Sequence, residues 1–142
     1  MLAQSVLMLV VGLAGWVDPG AFAGAWRPWV AGVLFATGAV CGLAGVAVLG
    51  RNRTIFPRPH AGSRLVRHGV YRWIRHPLYT SVMTLSLGWA VARGSALTLA
   101  LAVALIVLLR LKAGREERWL REQFPEYADY ARRVARFVPG LW

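Results

Sequence analysis

WVAGVLFATGAVCGLAGVAVL, from Trp29 to Leu49, is the stretch that decides the fold. Its 21 residues hold no charge and no proline. A bilayer core about 30 Å thick takes roughly 20 helical residues, so this run reads as one membrane span. Gly38 and Gly42 stand at GxxxG spacing, and Gly45 follows one turn on. Small residues so spaced let two helices approach closely. The partner helix could belong to this chain or to a second copy.

Upstream, Met1–Val17 is a second apolar run, ended by Asp18-Pro19-Gly20. No basic residue precedes it, whereas a signal peptide has a positive n-region. It therefore reads as a retained span. Downstream, Arg51–His76 carries seven arginines and no acidic residue. Pro57 and Pro59 argue against one continuous helix there. Pro77 opens a third apolar run, Leu78–Ala92, and Ser95–Leu109 is the fourth. One helix across both would place Arg93 in mid-membrane, which is costly. A tight hairpin at Arg93-Gly94 is expected instead. Arg110–Trp142 is polar and basic, and Pro125 divides it into two helices. Tyr127, Tyr130, Val134 and Phe137 recur at steps of three and four, so the second helix reads as amphipathic.

The composition agrees. Of the 142 residues 57% are hydrophobic and 16% charged, where soluble domains average roughly 45–50% and about 25%. The formal charge is +11. Nucleic-acid binding is the usual first reading of such a surplus. Here the cations flank apolar runs, so topology and anionic headgroups explain them better. Seven basic residues fall in 51–76 and eight in 110–142; Arg27 and Arg93 are the others. By the positive-inside rule both basic segments face the cytoplasm, and four spans place them on one side. Trp16, Trp26, Trp29 and Trp89 fall near the opposite ends, as an interfacial belt does. Cys41, the single cysteine, lies in an apolar run and offers neither a disulfide nor a metal site.

The fold expected is all-α: a polytopic integral membrane protein of about four transmembrane helices with a C-terminal cytoplasmic amphipathic segment. As a single membrane domain it divides into two N-terminal spans (1–50), a basic loop (51–76), a helical hairpin (77–111) and a C-terminal segment (112–142). Richness in Ala, Gly, Val and Arg points to a GC-rich prokaryotic genome, hence to an inner membrane.

Two polar clusters border the third and fourth runs. One is Val66–Tyr79, with Arg67, His68, Tyr71, Arg72, Arg75, His76, Pro77 and Tyr79; the other begins at Glu116-Glu117 and holds Tyr127, Tyr130, Arg133 and Arg136. A short hairpin makes the two helix ends neighbours, so residues 75–79 and 116–117 are expected close together. Carboxylates there can hold hydroxyls and ammonium groups, arginines can fork a carboxylate, and tyrosines can stack on a flat ring. Weighed singly, Arg75 is an ordinary interfacial arginine, and Glu117/Arg121 and Asp129/Arg133 are surface pairs four residues apart.

Taken together, Gly69-Val70-Tyr71, Arg75-His76-Pro77-Leu78-Tyr79, Glu116-Glu117, Leu120, Phe124, Tyr127, Tyr130, Arg133 and Pro139 resemble the isoprenylcysteine carboxyl methyltransferase and phospholipid methyltransferase superfamily over residues 64–142. The resemblance implies a membrane methyltransferase using S-adenosylmethionine. It implies cofactor contacts from Arg-His-Pro-x-Tyr and the glutamate pair, here His76, Pro77, Tyr79, Glu116 and Glu117, with His68 and Tyr71 beside them. Catalytic roles fall to Arg75, Arg133 and Arg136, and substrate contacts to Tyr127 and Tyr130. No metal is implied. The acceptor, apolar or amphipathic and reached from the bilayer, is a prenylcysteine-like carboxylate or an aminolipid. Val70 stands where the family often has proline, and Pro125 where it commonly has glycine. Two other readings stay open: an NADPH-dependent membrane reductase of the steroid-reductase type, and a non-enzymatic protein binding anionic lipid or a partner. Haem ligation by His68 and His76 is disfavoured, because both lie outside the spans.

Overall fold

The computed structural model describes residues 2–18, 20–50 and 65–141. The expected loop segment with Arg51, Arg53, Arg58 and Arg64 lies largely outside them. Helices α1 (Leu2–Val17), α2 (Arg27–Leu49), α3 (Pro77–Arg93), α4 (Ala96–Gln123) and α5 (Tyr127–Arg133) make up the fold, with a 3₁₀ turn at Gly69–Arg72. Among the described residues the only β pairings are the isolated bridges Ile74–Ala135 and Val138–Leu141. Helices α2 and α4 are long and apolar enough to cross a membrane; α1 is apolar but shorter.

Each boundary has a local cause. Pro28 and Pro77 sit in the first turns of α2 and α3, where the missing N–H costs nothing. Gly94 ends α3 in the left-handed conformation (φ 66°), which a side chain would resist. Ser95 then caps α4, accepting from the Thr98 amide at 2.9 Å. So the hairpin turns where Arg93-Gly94 interrupts the apolar pattern.

This turn is also tied to α1 and α2. Arg27 donates to the carbonyls of Phe22 (3.0 Å), Val91 (3.0 Å) and Ala92 (2.6 Å). It thereby satisfies the Ala92 carbonyl at the end of α3 and shares that of Val91 with the Gly94 amide. Ser95 donates to Asp18, and Arg93 donates to the Gly15 carbonyl while lying over the rings of Trp16 and Trp89.

The glycine stripe packs helices within the chain. A Cβ on Gly38 would come 2.7 Å from Leu85, one on Gly42 2.6 Å from Ser81, and one on Gly45 3.0 Å from Leu78. All three partners lie on α3. On its other side α3 meets α1 and α4 around Val11, Met83, Leu105 and Leu109. A second core of Tyr127, Tyr130 and Val134, with Leu120 and Phe124 against it, seats the C-terminal segment.

Two expectations are corrected. The polar part after Leu109 is no separate helix: α4 runs unbroken to Gln123, because Arg110–Gln123 is made largely of strong helix formers and holds no proline. Phe137, for its part, is not on the amphipathic helix. α5 ends at Arg133 and Val134 is extended. The chain then pairs with the strand-like residues before α3: Arg75 N–H donates to the Ala135 carbonyl (2.8 Å) and His76 N–H to that of Arg136 (3.1 Å).

Gly38→Ala should overpack the α2–α3 contact and cost about 1–3 kcal/mol, read as a lower unfolding temperature in detergent. Gly32→Ala, where a Cβ meets nothing within 4 Å, should leave that temperature unchanged or raise it.

Candidate functional site

The base of α3, the polar end of α4 and the extended residues after α5 converge on one carboxylate. Glu117 is 1% exposed and stands about two turns beyond the apolar part of α4. Arg136 grips it with two hydrogen bonds, Nε to Oε1 at 3.0 Å and Nη2 to Oε2 at 2.6 Å. His76 Nε2 lies 3.1 Å from Oε1. Arg75 Nε is 3.4 Å from the same oxygen, an ion pair without a hydrogen bond. Such a fork suits a guanidinium, whose donors match the carboxylate in a plane.

These contacts decide the ionisation of Glu117. Burial alone would raise its carboxyl. The hydrogen bonds from His76 and Arg136, with the charges of His76 and Arg75, outweigh burial and hold it down to about 2. Because the carboxylate is ionised, His76 Nε2 must carry the hydrogen and donate it.

Glu116 sits beside this latch in a different setting. Its Oε2 accepts from the Tyr79 hydroxyl at 2.8 Å, and its side chain is 27% exposed. The Tyr79 ring stacks on His76, with centroids 5.3 Å apart and planes 2° apart. Phe137 is tilted against the His76 ring, with centroids 5.8 Å apart. Thr80 Oγ lies 3.1 Å from the His76 carbonyl and 2.9 Å from that of Phe137, fixing the helix start to the C-terminal segment.

The remaining expected residues divide. Pro77 is buried at the start of α3. Tyr71 is buried, and its hydroxyl is pushed up to about 12 by burial and then by the charge of Glu116. Tyr130 donates to the Tyr71 carbonyl at 2.6 Å; its hydroxyl is engaged as a clamp on the 3₁₀ turn. Tyr127 is 1% exposed, and its buried hydroxyl has no hydrogen-bond partner among the described residues. Burial, and then the charge of Glu117, push the pKa of that hydroxyl up. Two residues are not brought in. His68 is exposed at the turn's edge. Arg133 is exposed and donates from Nε to the Asp129 carbonyl of its own helix turn, at 3.2 Å.

Sequence reasoning missed Phe137, Thr80 and the Ala131 carbonyl, which accepts from Arg75 Nη1 at 2.8 Å. Thr80 carried a weak signal, a hydroxyl in the first turn of an apolar helix. The others depend on where α5 stops.

With this geometry in hand, comparison places the chain among known proteins. A model of the phospholipid methyltransferase family matches residues 26–127. The cobalt-zinc-cadmium resistance protein CzcN of Cupriavidus metallidurans is 40% identical over 78 residues, covering 54% of this chain and 36% of that protein. A probable protein-S-isoprenylcysteine O-methyltransferase of Oryza sativa is 32% identical over 113 residues, covering 77% of this chain and 59% of the relative. The structure of a eukaryotic intramembrane Ras methyltransferase, an isoprenylcysteine carboxyl methyltransferase, superposes with a TM-score of 0.79 at 22% identity, over 96% of this chain and 52% of the other. That match gives the fold. The chain thus spans between about a third and three fifths of the length of these proteins.

Removing the charge of Glu117 strands buried cations, which costs about 3–5 kcal/mol. Glu117→Gln should therefore lower the unfolding temperature in detergent by roughly 10 °C. The latch should also weaken in acid. A carboxyl held down in the folded state stabilises fully above its unfolded value, and that stability is lost as pH falls from about 4.5 to about 2. Unfolding temperatures measured across this window should fall more steeply for the parent protein than for Glu117→Gln.

Proposed function

The chain belongs to the phospholipid methyltransferase family, and from that premise we propose that it transfers a methyl group from S-adenosylmethionine to an apolar or amphipathic acceptor that arrives through the bilayer. The observation that carries this reading is the convergence of Arg75, His76, Glu116, Glu117 and Arg136 at one end of apolar helices.

The donors present fit this cofactor. Glu117 is already engaged by Arg75, His76 and Arg136, with Arg121 4.0 Å away, so a ligand ammonium gains little there. Glu116 keeps its second oxygen and part of its surface, and is the carboxylate we assign to the cofactor's ammonium or hydroxyls. The buried, unpartnered hydroxyl of Tyr127 offers a further donor. When bound, S-adenosylmethionine supplies a methyl group carried on a sulfonium.

The residues of the chain then have three tasks. Arg75, Arg136 and, 4.0 Å from Glu117, Arg121 set three guanidiniums against the two carboxylates of Glu116 and Glu117. This positive surplus favours an acidic acceptor over an ammonium, so a carboxylate joined to an apolar tail is the substrate class we assign. His76 keeps its Nε2 hydrogen on Glu117 and stacks on Tyr79; it positions, and for a carboxylate acceptor no proton need move. The apolar flanks exclude water, which favours any step that neutralises opposite charges.

In the membrane, we assign four crossings. The site and the basic segments face the cytoplasm; Arg27, Arg93 and the tryptophans around them face the opposite side. Helices α1 and α3 have 16 and 17 residues, about 24–26 Å at 1.5 Å per residue. Local thinning or snorkelling accommodates the difference from a core of about 30 Å. The metal-resistance name of the bacterial relative suggests a metal link. The cluster argues against a metal there, because arginines and Tyr79 already meet both carboxylates.

Equilibrium binding of S-adenosylmethionine and of NADPH to detergent-purified protein tests the reading. Only the first should bind, and Glu116→Gln should weaken it about tenfold, the worth of a charge-assisted bond of about 1.4 kcal/mol, at an unchanged unfolding temperature. Well-folded protein that binds NADPH instead, or neither compound, contradicts it.

A further inference from the structure

The chain has sixteen arginines and one lysine, Lys112. That lysine stands one turn before Glu116 on α4, so the two side chains share a helix face. An ion pair at this spacing is the expected outcome, and the charge of Glu116 does act on Lys112. Yet the ammonium donates to the Oε1 of Gln4, at 2.5 Å, across to α1. It lies 5.3 Å from the centre of the Tyr79 ring, a cation–π distance. The Tyr79 hydroxyl, in turn, is the group bonded to Glu116.

Gln4 is out of place unless it has a task. Helix α1 is otherwise apolar but for Ser5, and a carboxamide at a lipid boundary costs free energy unless it is bonded. Its amide nitrogen contacts Met8 Sδ at 3.7 Å along the same helix, and its oxygen takes the ammonium. Gln4 also lies outside the matched family region, residues 26–127.

We propose that Gln4 is a positioning residue that competes with Glu116 for the ammonium of Lys112, drawing it over the Tyr79 ring and so keeping Glu116 for a cationic ligand. Gln4 touches neither reactant. It acts through Lys112, and it makes α1 part of the site's construction. The ligand side of this inference rests on the assignment of Glu116 to the cofactor above.

The test is a rescue. Gln4→Leu should release Lys112 toward Glu116 and weaken S-adenosylhomocysteine binding about fivefold, the effect of roughly 1 kcal/mol. Gln4→Leu/Lys112→Met should restore the parent affinity, which a merely structural role for Gln4 would not do. Unchanged binding in Gln4→Leu, or a double variant as weak as the single one, overturns the proposal. A second readout needs no cofactor. With one lysine in the chain, ¹³C-lysine labelling gives one side-chain signal. It should move in Gln4→Leu and return in Gln4→Leu/Glu116→Gln. A signal indifferent to Glu116 overturns the proposal even if no cofactor binds, whereas the expected signal changes without cofactor binding would fault only the assignment of Glu116.

Discussion

The buried carboxylate of Glu117 is the constraint from which the rest of the structure follows. It is met by side chains from two other segments: Arg75 and His76 ahead of α3, and Arg136 beyond α5. An ionised group at 1% exposure is affordable only with such partners. The partners in turn fix where the chain goes. Residues 135–136 must lie alongside 75–76, and they do, through two backbone hydrogen bonds. Tyr130 and Thr80 then pin the same two segments from either side.

The molecule has a second polar knot at the other end of the helices. Ser95 donates to Asp18, Arg27 to carbonyls at the end of α3, and Arg93 to the Gly15 carbonyl of α1. There the polar atoms are spent on carbonyls and caps. At the Glu117 end, by contrast, one carboxylate keeps exposed surface and one tyrosine hydroxyl is left over. That difference separates a structural knot from a candidate site.

Much of this was legible in the sequence. Arg93-Gly94 stopped one apolar run and started another, and a buried arginine is too costly for any reading but a turn. Once the hairpin was placed, Arg75-His76 and Glu116-Glu117 had to be neighbours. The rest depended on where helices stop. Spacing put Arg133 and Arg136 on equal terms; because α5 ends at Arg133, only Arg136, in the segment that follows it, reaches Glu117. The same ending took Phe137 off the amphipathic face and onto His76. The roles of the two glutamates were not separable from a Glu-Glu pair, since adjacent helix positions point about 100° apart and only packing decides which is buried. Gln4 gave no signal, because its partner is 108 residues away.

We propose a division of labour in which Glu117 holds the fold of the site together and Glu116 meets the ligand. The most direct test is a structure of the protein with S-adenosylhomocysteine in a lipid nanodisc. The ligand's ammonium or ribose hydroxyls should lie on Glu116, with the Arg136–Glu117 fork intact. A ligand bonded to Glu117 with Arg136 displaced, or one seated away from both glutamates, would contradict it.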